Sequence, residues 1–253
     1  MSDCKPRATP CEPNPKVYEK EGDEPVDQTS YRQMVGSLIY AMVCTRPDLS
    51  YAVTKLSQKL SCPTVADLMM LKHVFRYLKK TSDYCLIYSK SSTDLQIFAY
   101  CDADWAASKD RRSISGYCIS LNPKGPLVSW KSKRQNSIAL STCEAEYVAM
   151  SITCQEVIFL KESLLFDFIG MKPNAMISCD NQGALALSKN PTKHSKAKHI
   201  DIRYHFVREC YEKGVLELKY VPSNDNFADI FTKPPKKFLL EKFFKFILGV
   251  KLN

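Results

Sequence analysis

The sequence lacks any run approaching the roughly 18 apolar residues that a membrane-spanning helix needs, and its first residues hold no apolar core of the kind that marks a secretory signal. Contact with a membrane is not expected. The 11 cysteines include no Cys-x-x-Cys pair, which excludes a zinc ribbon and a thioredoxin-like motif. Cys101, Cys118 and Cys179 fall in apolar strand contexts, where a reduced cysteine acts as a small hydrophobe, so a reducing compartment, cytoplasm or nucleus, is expected. His194, His199 and His205 are spaced by five and six residues, which cannot put all three on one helical face. Structural or phosphate-contacting roles therefore suit them better than zinc ligation. What is present reads as an ordinary globular chain of 253 residues, 45% hydrophobic and 25% charged. Lys and Arg outnumber Asp and Glu by 36 to 27, a modest excess that fits a polyanionic partner or simply a basic surface.

Residues 1–27 hold five of the 14 prolines among charged and small residues, which predicts an unpacked tail. Helical spacing then predicts a module over residues 28–83. Ser30 is placed to cap a helix to Val43, Pro47 to open one over Asp48–Leu60, and Pro63-Thr64 to precede a third over Val65–Lys80. Past Thr81 the period changes to two. Tyr84–Tyr88, Leu95–Cys101, Ile114–Leu121 and Leu127–Lys131 read as strands joined by short turns, which implies an antiparallel meander. A long helix follows from Thr142 to Phe168, with Gly170 as its stop. A strand at Ala175–Cys179, helices at Asn181–Ser188 and His199–Lys213, a strand at Val215–Val221 and a helix at Asn226–Thr232 complete the pattern. This order predicts an α/β or α+β fold, a mixed sheet with helices on its faces, over residues 84–233. Residues 234–253 read as a basic amphipathic helix that docks on the protein.

Chemistry concentrates in four acidic residues. Asp102 ends an alternating aromatic-rich strand, and Asp180 follows the apolar strand Met176-Ile177-Ser178-Cys179. Glu146 shares a helical face with Ala149, Met150 and Thr153, which points it at the sheet, where an unpaired carboxylate is costly. Asp229 lies at a helix start just after a strand. Each has a plain alternative: strand-end turns for Asp102, an N-cap for Asp180, the helix dipole for Asp229. Glu144, three residues after Ser141, reads as part of a capping box. Asp104 competes with Asp102, but the apolar alternation ends at Cys101, which predicts Asp104 in the turn. Four converging carboxylates repel one another unless cations neutralise them, and hard oxygen donors suit Mg²⁺. A pair of such ions supports phosphodiester hydrolysis without a side-chain nucleophile.

At this point the motifs become specific. Tyr100-Cys101-Asp102-Ala103-Asp104-Trp105, Arg111-Arg112-Ser113-x-Ser115-Gly116-Tyr117, Ser129-Trp130-Lys131-Ser132-Lys133, Ser141-Thr142-x-Glu144-Ala145-Glu146-Tyr147, Cys179-Asp180-Asn181, Lys198-His199-Ile200-Asp201 and Ala228-Asp229-x-x-Thr232-Lys233 resemble the ribonuclease H domain of copia-type retrotransposon polyproteins. The resemblance is dense over residues 95–233. Upstream, Tyr31-Arg32-Gln33-Met34-Val35-Gly36, Thr45-Arg46-Pro47-Asp48 and Arg76-Tyr77-Leu78-Lys79 look like the segment joining that family's reverse transcriptase to its ribonuclease H. The resemblance implies a five-stranded mixed sheet, cleavage of the RNA strand of an RNA–DNA hybrid with Mg²⁺ or Mn²⁺, and a metal-binding set of Asp102, Glu146, Asp180 and Asp229. Two departures stand out. No Asp-Asp dipeptide of a polymerase palm occurs, so no polymerisation is expected and any reverse transcriptase would be a separate partner. Val221-Pro222-Ser223-Asn224-Asp225-Asn226 carries no histidine where cellular ribonucleases H place one.

Phosphate and 2′-hydroxyl contacts are expected from Lys131, Lys133, Arg134, Asn181, Lys196, Lys198 and His199, although each lysine alone fits a solvated basic face equally well. Trp105 and Trp130 are expected to pack against the sheet. The rival to an endoribonuclease is a non-catalytic nucleic-acid-binding or scaffold protein, a freed retroelement fragment that keeps the fold without turnover.

Overall fold

The computed structural model describes residues 4–14, 16–19, 23–88, 95–107, 110–123, 125–189 and 198–245. They fall into two compact units, residues 1–87 with 233–253, and residues 88–232.

The first unit is helical. After a short turn of helix, α1 (Lys16–Glu19), come α2 (Gln28–Cys44), a 3₁₀ turn (Pro47–Leu49) running into α3 (Ser50–Ser57), and α4 (Val65–Lys80). Helix α2 starts before Ser30 because the Asp27 carboxylate accepts the N–H of Ser30 and caps the helix earlier. At α4, Thr64 and Asp67 exchange side-chain and backbone hydrogen bonds in a full capping box. Tyr31, Val35, Leu38, Leu49, Leu56, Leu71 and Val74 are buried. Arg46 donates through Nε and Nη2 to the two carboxylate oxygens of Asp48, and the Tyr77 hydroxyl donates to the same carboxylate.

The structure differs from the expectation of an unpacked tail. Arg7 N–H donates to the Arg76 carbonyl, Arg76 Nε to the Lys5 carbonyl and His73 Nε2 to the Thr9 carbonyl, while Cys11 is buried. Pro25 bridges to Thr64, and Val65 N–H donates to the Glu24 carbonyl. Backbone groups make most of these contacts, so a composition poor in apolar side chains still packs.

The second unit is built on a sheet of β1 (Ile97–Asp104), β2 (Ile114–Ser120), β3 (Leu127–Arg134), β4 (Ala175–Cys179) and β5 (Glu217–Tyr220) in the order β3-β2-β1-β4-β5. The first three run antiparallel, and β1–β4 and β4–β5 pair in parallel. This is the expected five-stranded mixed sheet, with helices flanking it and a helical module before it. Residues 84–88, expected as a further strand, form none. Ile97, Ala99 and Cys101 of β1 and Tyr117 and Ile119 of β2 pack on Tyr147, Met150, Cys154 and Val157 of α5 (Thr142–Ile158). Helix α5 continues through a π-helical stretch (Phe159–Phe166) into α6 (Asp167–Ile169), and Gly170 ends it with φ 72°, the left-handed conformation glycine adopts freely. Then follow α7 (Gln182–Lys189) and α8 (Lys198–Glu212). The expected helix over Asn226–Thr232 is instead a 3₁₀ turn, Phe227–Phe231. In the first unit, α9 (Lys237–Phe243) buries Leu240 and Phe243, and residues 246–253 of the expected C-terminal helix lie outside the described residues. No helix among the described residues is long and apolar enough to cross a membrane.

Candidate active site at the ends of two parallel strands

Strands β1 and β4 are parallel, with Tyr100 opposite Ser178, so their C-terminal ends emerge side by side. Asp102 is the sixth residue of β1 and only 1% exposed. Asp180 follows the last residue of β4 and is half-buried. Its capping alternative falls away, because Asn181 Oδ1 accepts the Ala184 N–H and caps α7 instead. Glu146 arrives from α5, whose start is held by Ser141 Oγ accepting the Glu144 N–H and by Glu144 Oε2 accepting the Leu140 N–H. Glu144 is thus occupied with the helix start, as its spacing predicts.

Glu146 is the site's most costly group. It is 7% exposed, and its Oε2 is buried with no hydrogen-bond partner. Burial pushes its pKa well above the usual carboxylate range, and the charges of Asp102, Cys179 and Asp180 push the same way, against a hydrogen bond from the backbone of Ala103. Ligand atoms of Glu146, Cys179 and Asp180 all lie within 4.8 Å of one another. A buried acceptor without a donor, beside other carboxylates, suits a cation.

Asp229 reaches the same strand from the opposite face. Its 3₁₀ turn is fixed by Asn226, whose Nδ2 donates to the Cys101 carbonyl at 2.9 Å and whose Oδ1 accepts the Ala228 N–H. The rings of Tyr100 and Phe227 meet edge to face at 5.1 Å. The buried Thr232 hydroxyl donates to Asp102 Oδ2 and lies 3.1 Å from the Asp229 carbonyl. Asp102 and Asp180 both act electrostatically on Glu146, while Asp102 and Asp229 stand outside the group of three ligand atoms from Glu146, Cys179 and Asp180. Asp104 corrects the expected strand end. It belongs to β1, opposite Ile114, because the polar residues of the strand continue the ladder after the apolar ones stop.

Lys131 and Lys133 are exposed on edge strand β3, opposite Tyr117 and Ser115, and so lie on the α5 side of the sheet. Arg134 is paired with Asp110 at 3.0 Å. Lys196 and the side chains of Lys198 and His199 lie outside the described residues. Trp105 is 45% exposed, with Nε1 donating to the Ala139 carbonyl, so it packs less than expected. Sequence alone assigns no role to Thr232 or Asn226, and it places Gln135 only in a basic run, residues 131–136, expected to contact the hybrid. Gln135 is buried, and its Nε2 donates to Ser115 Oγ and the Ala145 carbonyl, tying the sheet to the start of α5. Thr232 could have been found through its place in the Ala228-Asp229-x-x-Thr232 motif. Asn226 carries no comparable signal, and nothing in the sequence points Gln135 inward rather than at the hybrid.

No family model matches the chain. It is 40% identical over 244 residues, 96% of its length, to the Retrovirus-related Pol polyprotein from transposon RE1 of Arabidopsis thaliana, and spans 16% of that protein. It is 38% identical over 177 residues to an uncharacterized mitochondrial protein of the same plant, covering 69% of this chain and 71% of the other. Among solved structures, LC11-RNase H1, isolated from compost, is similar with a TM-score of 0.42 and 16% identity, over 54% of this chain and 92% of that one. The chain belongs to the family of the retrovirus-related Pol polyproteins from copia-type transposons.

Proposed function

We propose that residues 88–232 act as a metal-dependent endoribonuclease that cuts the RNA strand of RNA–DNA hybrids. The observation that carries this reading is Glu146, a buried carboxylate with an orphaned oxygen, placed against Asp102 and Asp180. A scaffold has no physical need for such a group, which weighs against the non-catalytic alternative. Asp102, Glu146, Asp180 and Asp229 are the residues that would hold Mg²⁺, with Mn²⁺ as a substitute, and their all-oxygen donor set suits those ions. Bound there, such ions activate a water and stabilise the leaving oxygen of a phosphodiester.

The chain's own residues supply placement. Thr232 orients the Asp102 carboxylate, Asn226 holds the Asp229 turn on β1, and the Ser141 cap sets the angle at which Glu146 enters. Lys131 and Lys133 are free of the ion pair that occupies Arg134, and they are suited to track hybrid phosphates. The test is incubation of the purified chain with a hybrid labelled on its RNA strand, in Mg²⁺ and in EDTA. Cleavage in Mg²⁺ alone is expected. A folded protein that binds the hybrid and leaves it intact in both Mg²⁺ and Mn²⁺ would establish the scaffold reading instead.

A further inference from the structure

Cys179 adds a donor of a different chemical kind to the carboxylates. It is the last residue of β4, fully buried, with its Sγ accepting the Asn181 N–H at 3.4 Å. Packing accounts for its burial, since it contacts the core between β4 and α5. Asp180 is its neighbour in the chain, but packing does not account for ligand atoms of Cys179 and Asp180 both lying within 4.8 Å of one from Glu146 of α5. Glu146 is more than nine-tenths buried, and its Oε2 has no hydrogen-bond partner. One sulfur and two carboxylate donors, from α5 and from the C-terminal end of β4, make a set that Mg²⁺ does not use, because hard cations leave thiolates alone. Zinc takes this mixture at bond lengths that put the donors of a tetrahedral site about 3.3–3.8 Å apart, within reach of side-chain rotation here.

We propose that Glu146, Cys179 and Asp180 form a binding site for a soft divalent cation, zinc or cadmium, which excludes Mg²⁺ from the same carboxylates. The inference rests on the reading of Glu146 and Asp180 as cation ligands and adds an inhibitory control to it. On binding, the metal–sulfur bond forms as the S–H bond gives its proton to solvent, and the buried Glu146 carboxyl likewise gives its proton to solvent as its oxygen ligates the metal. No electron is transferred, and the fourth tetrahedral position is left to water. Because zinc binds such a mixed donor set more tightly than Mg²⁺ binds oxygens, inhibition is expected at zinc concentrations far below the Mg²⁺ needed for cleavage.

The test titrates the full, metal-free chain with Cd²⁺ in the absence of nucleic acid and reads the ultraviolet sulfur-to-cadmium charge-transfer band. Ten further cysteines make the difference between wild type and variant the quantity that matters. One equivalent of band intensity should vanish in Cys179→Ser, persist in Cys143→Ser, and require at least about tenfold more Cd²⁺ in Glu146→Gln. Circular dichroism on each variant confirms that it is folded. A band unchanged by Cys179→Ser overturns the site, as does zinc inhibition of hybrid cleavage at the same concentration in wild type and Cys179→Ser. A band that behaves as expected in a chain that cleaves no hybrid keeps the cation site and refutes the nuclease reading. Cleavage without the band does the reverse.

Discussion

Asp102 and Asp104 share a strand and a face, and only burial and bonding separate them. Asp102 is sealed beneath the Thr232 hydroxyl and adds to the field on Glu146, whereas Asp104 is half-exposed near the strand end. A metal ligand must be held within a few tenths of an ångström, which favours the more rigidly placed group. Asp102→Asn is therefore expected to lower the single-turnover cleavage rate by at least roughly 10²–10³-fold. Asp104→Asn should cost much less, and a larger loss there would reverse the assignment. Elsewhere at the same scale, Arg46 and Asp48 are a buried pair with a bidentate hydrogen bond, closed by Tyr77 and Thr81. Asp48→Asn leaves the Arg46 charge buried without its counter-ion, an expected loss of about 3–5 kcal/mol by denaturant unfolding.

At the level of elements, the site depends on how closely the Asp229 turn sits on the sheet. Gly116 of β2 is opposite Asp102, and a Cβ added there would lie 2.7 Å from Phe231 Cβ and 2.8 Å from Thr232 Cγ2. Phe231 Cβ cannot rotate out of the way, since it is fixed to the turn's backbone, and Thr232 Cγ2 can turn only by swinging the hydroxyl off Asp102. Gly116→Ala is expected to push the turn outward, costing about 1–3 kcal/mol of stability. The same change should slow cleavage by loosening the Thr232 contact to Asp102. Normal rates in a folded Gly116→Ala protein would show that the turn is not part of the machinery. The N-terminal segment offers a second test, through His73. Burial holds its pKa below the ordinary 6.5, opposed by its bond to Thr9 and by Glu12, with Arg7 and Arg76 acting in the direction of burial. The unfolded chain then takes up the proton first as pH falls. His73's contribution is complete above pH 6.5 and is lost as pH drops through the folded value. The melting temperature should decline over that acid range in wild type, with a shallower slope in His73→Phe. A chain beginning at Gln28 should melt lower than the full chain by more than a few degrees, because it loses the backbone bonds to α4.

For the molecule as a whole, the proposed function makes salt and the choice of cation the variables to test. The net charge of +9 includes exposed Lys131 and Lys133 on one edge of the sheet. Hybrid binding should weaken steeply with added salt, as condensed counterions are displaced from the phosphates. Salt-independent binding would remove the basis for a phosphate-tracking surface. Mn²⁺ should replace Mg²⁺ in cleavage. Ca²⁺ should bind without turnover, since its larger, looser coordination shell misplaces the donors that the carboxylates fix.

Local periodicity determined much of this protein. The five strands begin within two residues of where alternation places them, and α4, α5 and the Gly170 stop follow from spacing and caps written in neighbouring residues. The places of Asp102 and Asp180 near the ends of β1 and β4, and of Glu146 on the buried face of α5, were legible for the same reason, as polar residues at the edge of apolar patterns. Only the tertiary structure decided which groups meet. Asn226 reaches Cys101 across 125 residues and Thr232 reaches Asp102 across 130, and neither contact leaves a mark on its own neighbourhood. The N-terminal segment packs through carbonyls and amides that every residue carries, so composition cannot announce it. Cys179 reads in sequence as one more apolar strand residue. Asp180 stands next to it in the chain, and its place beside Glu146 exists only because α5 packs against β4.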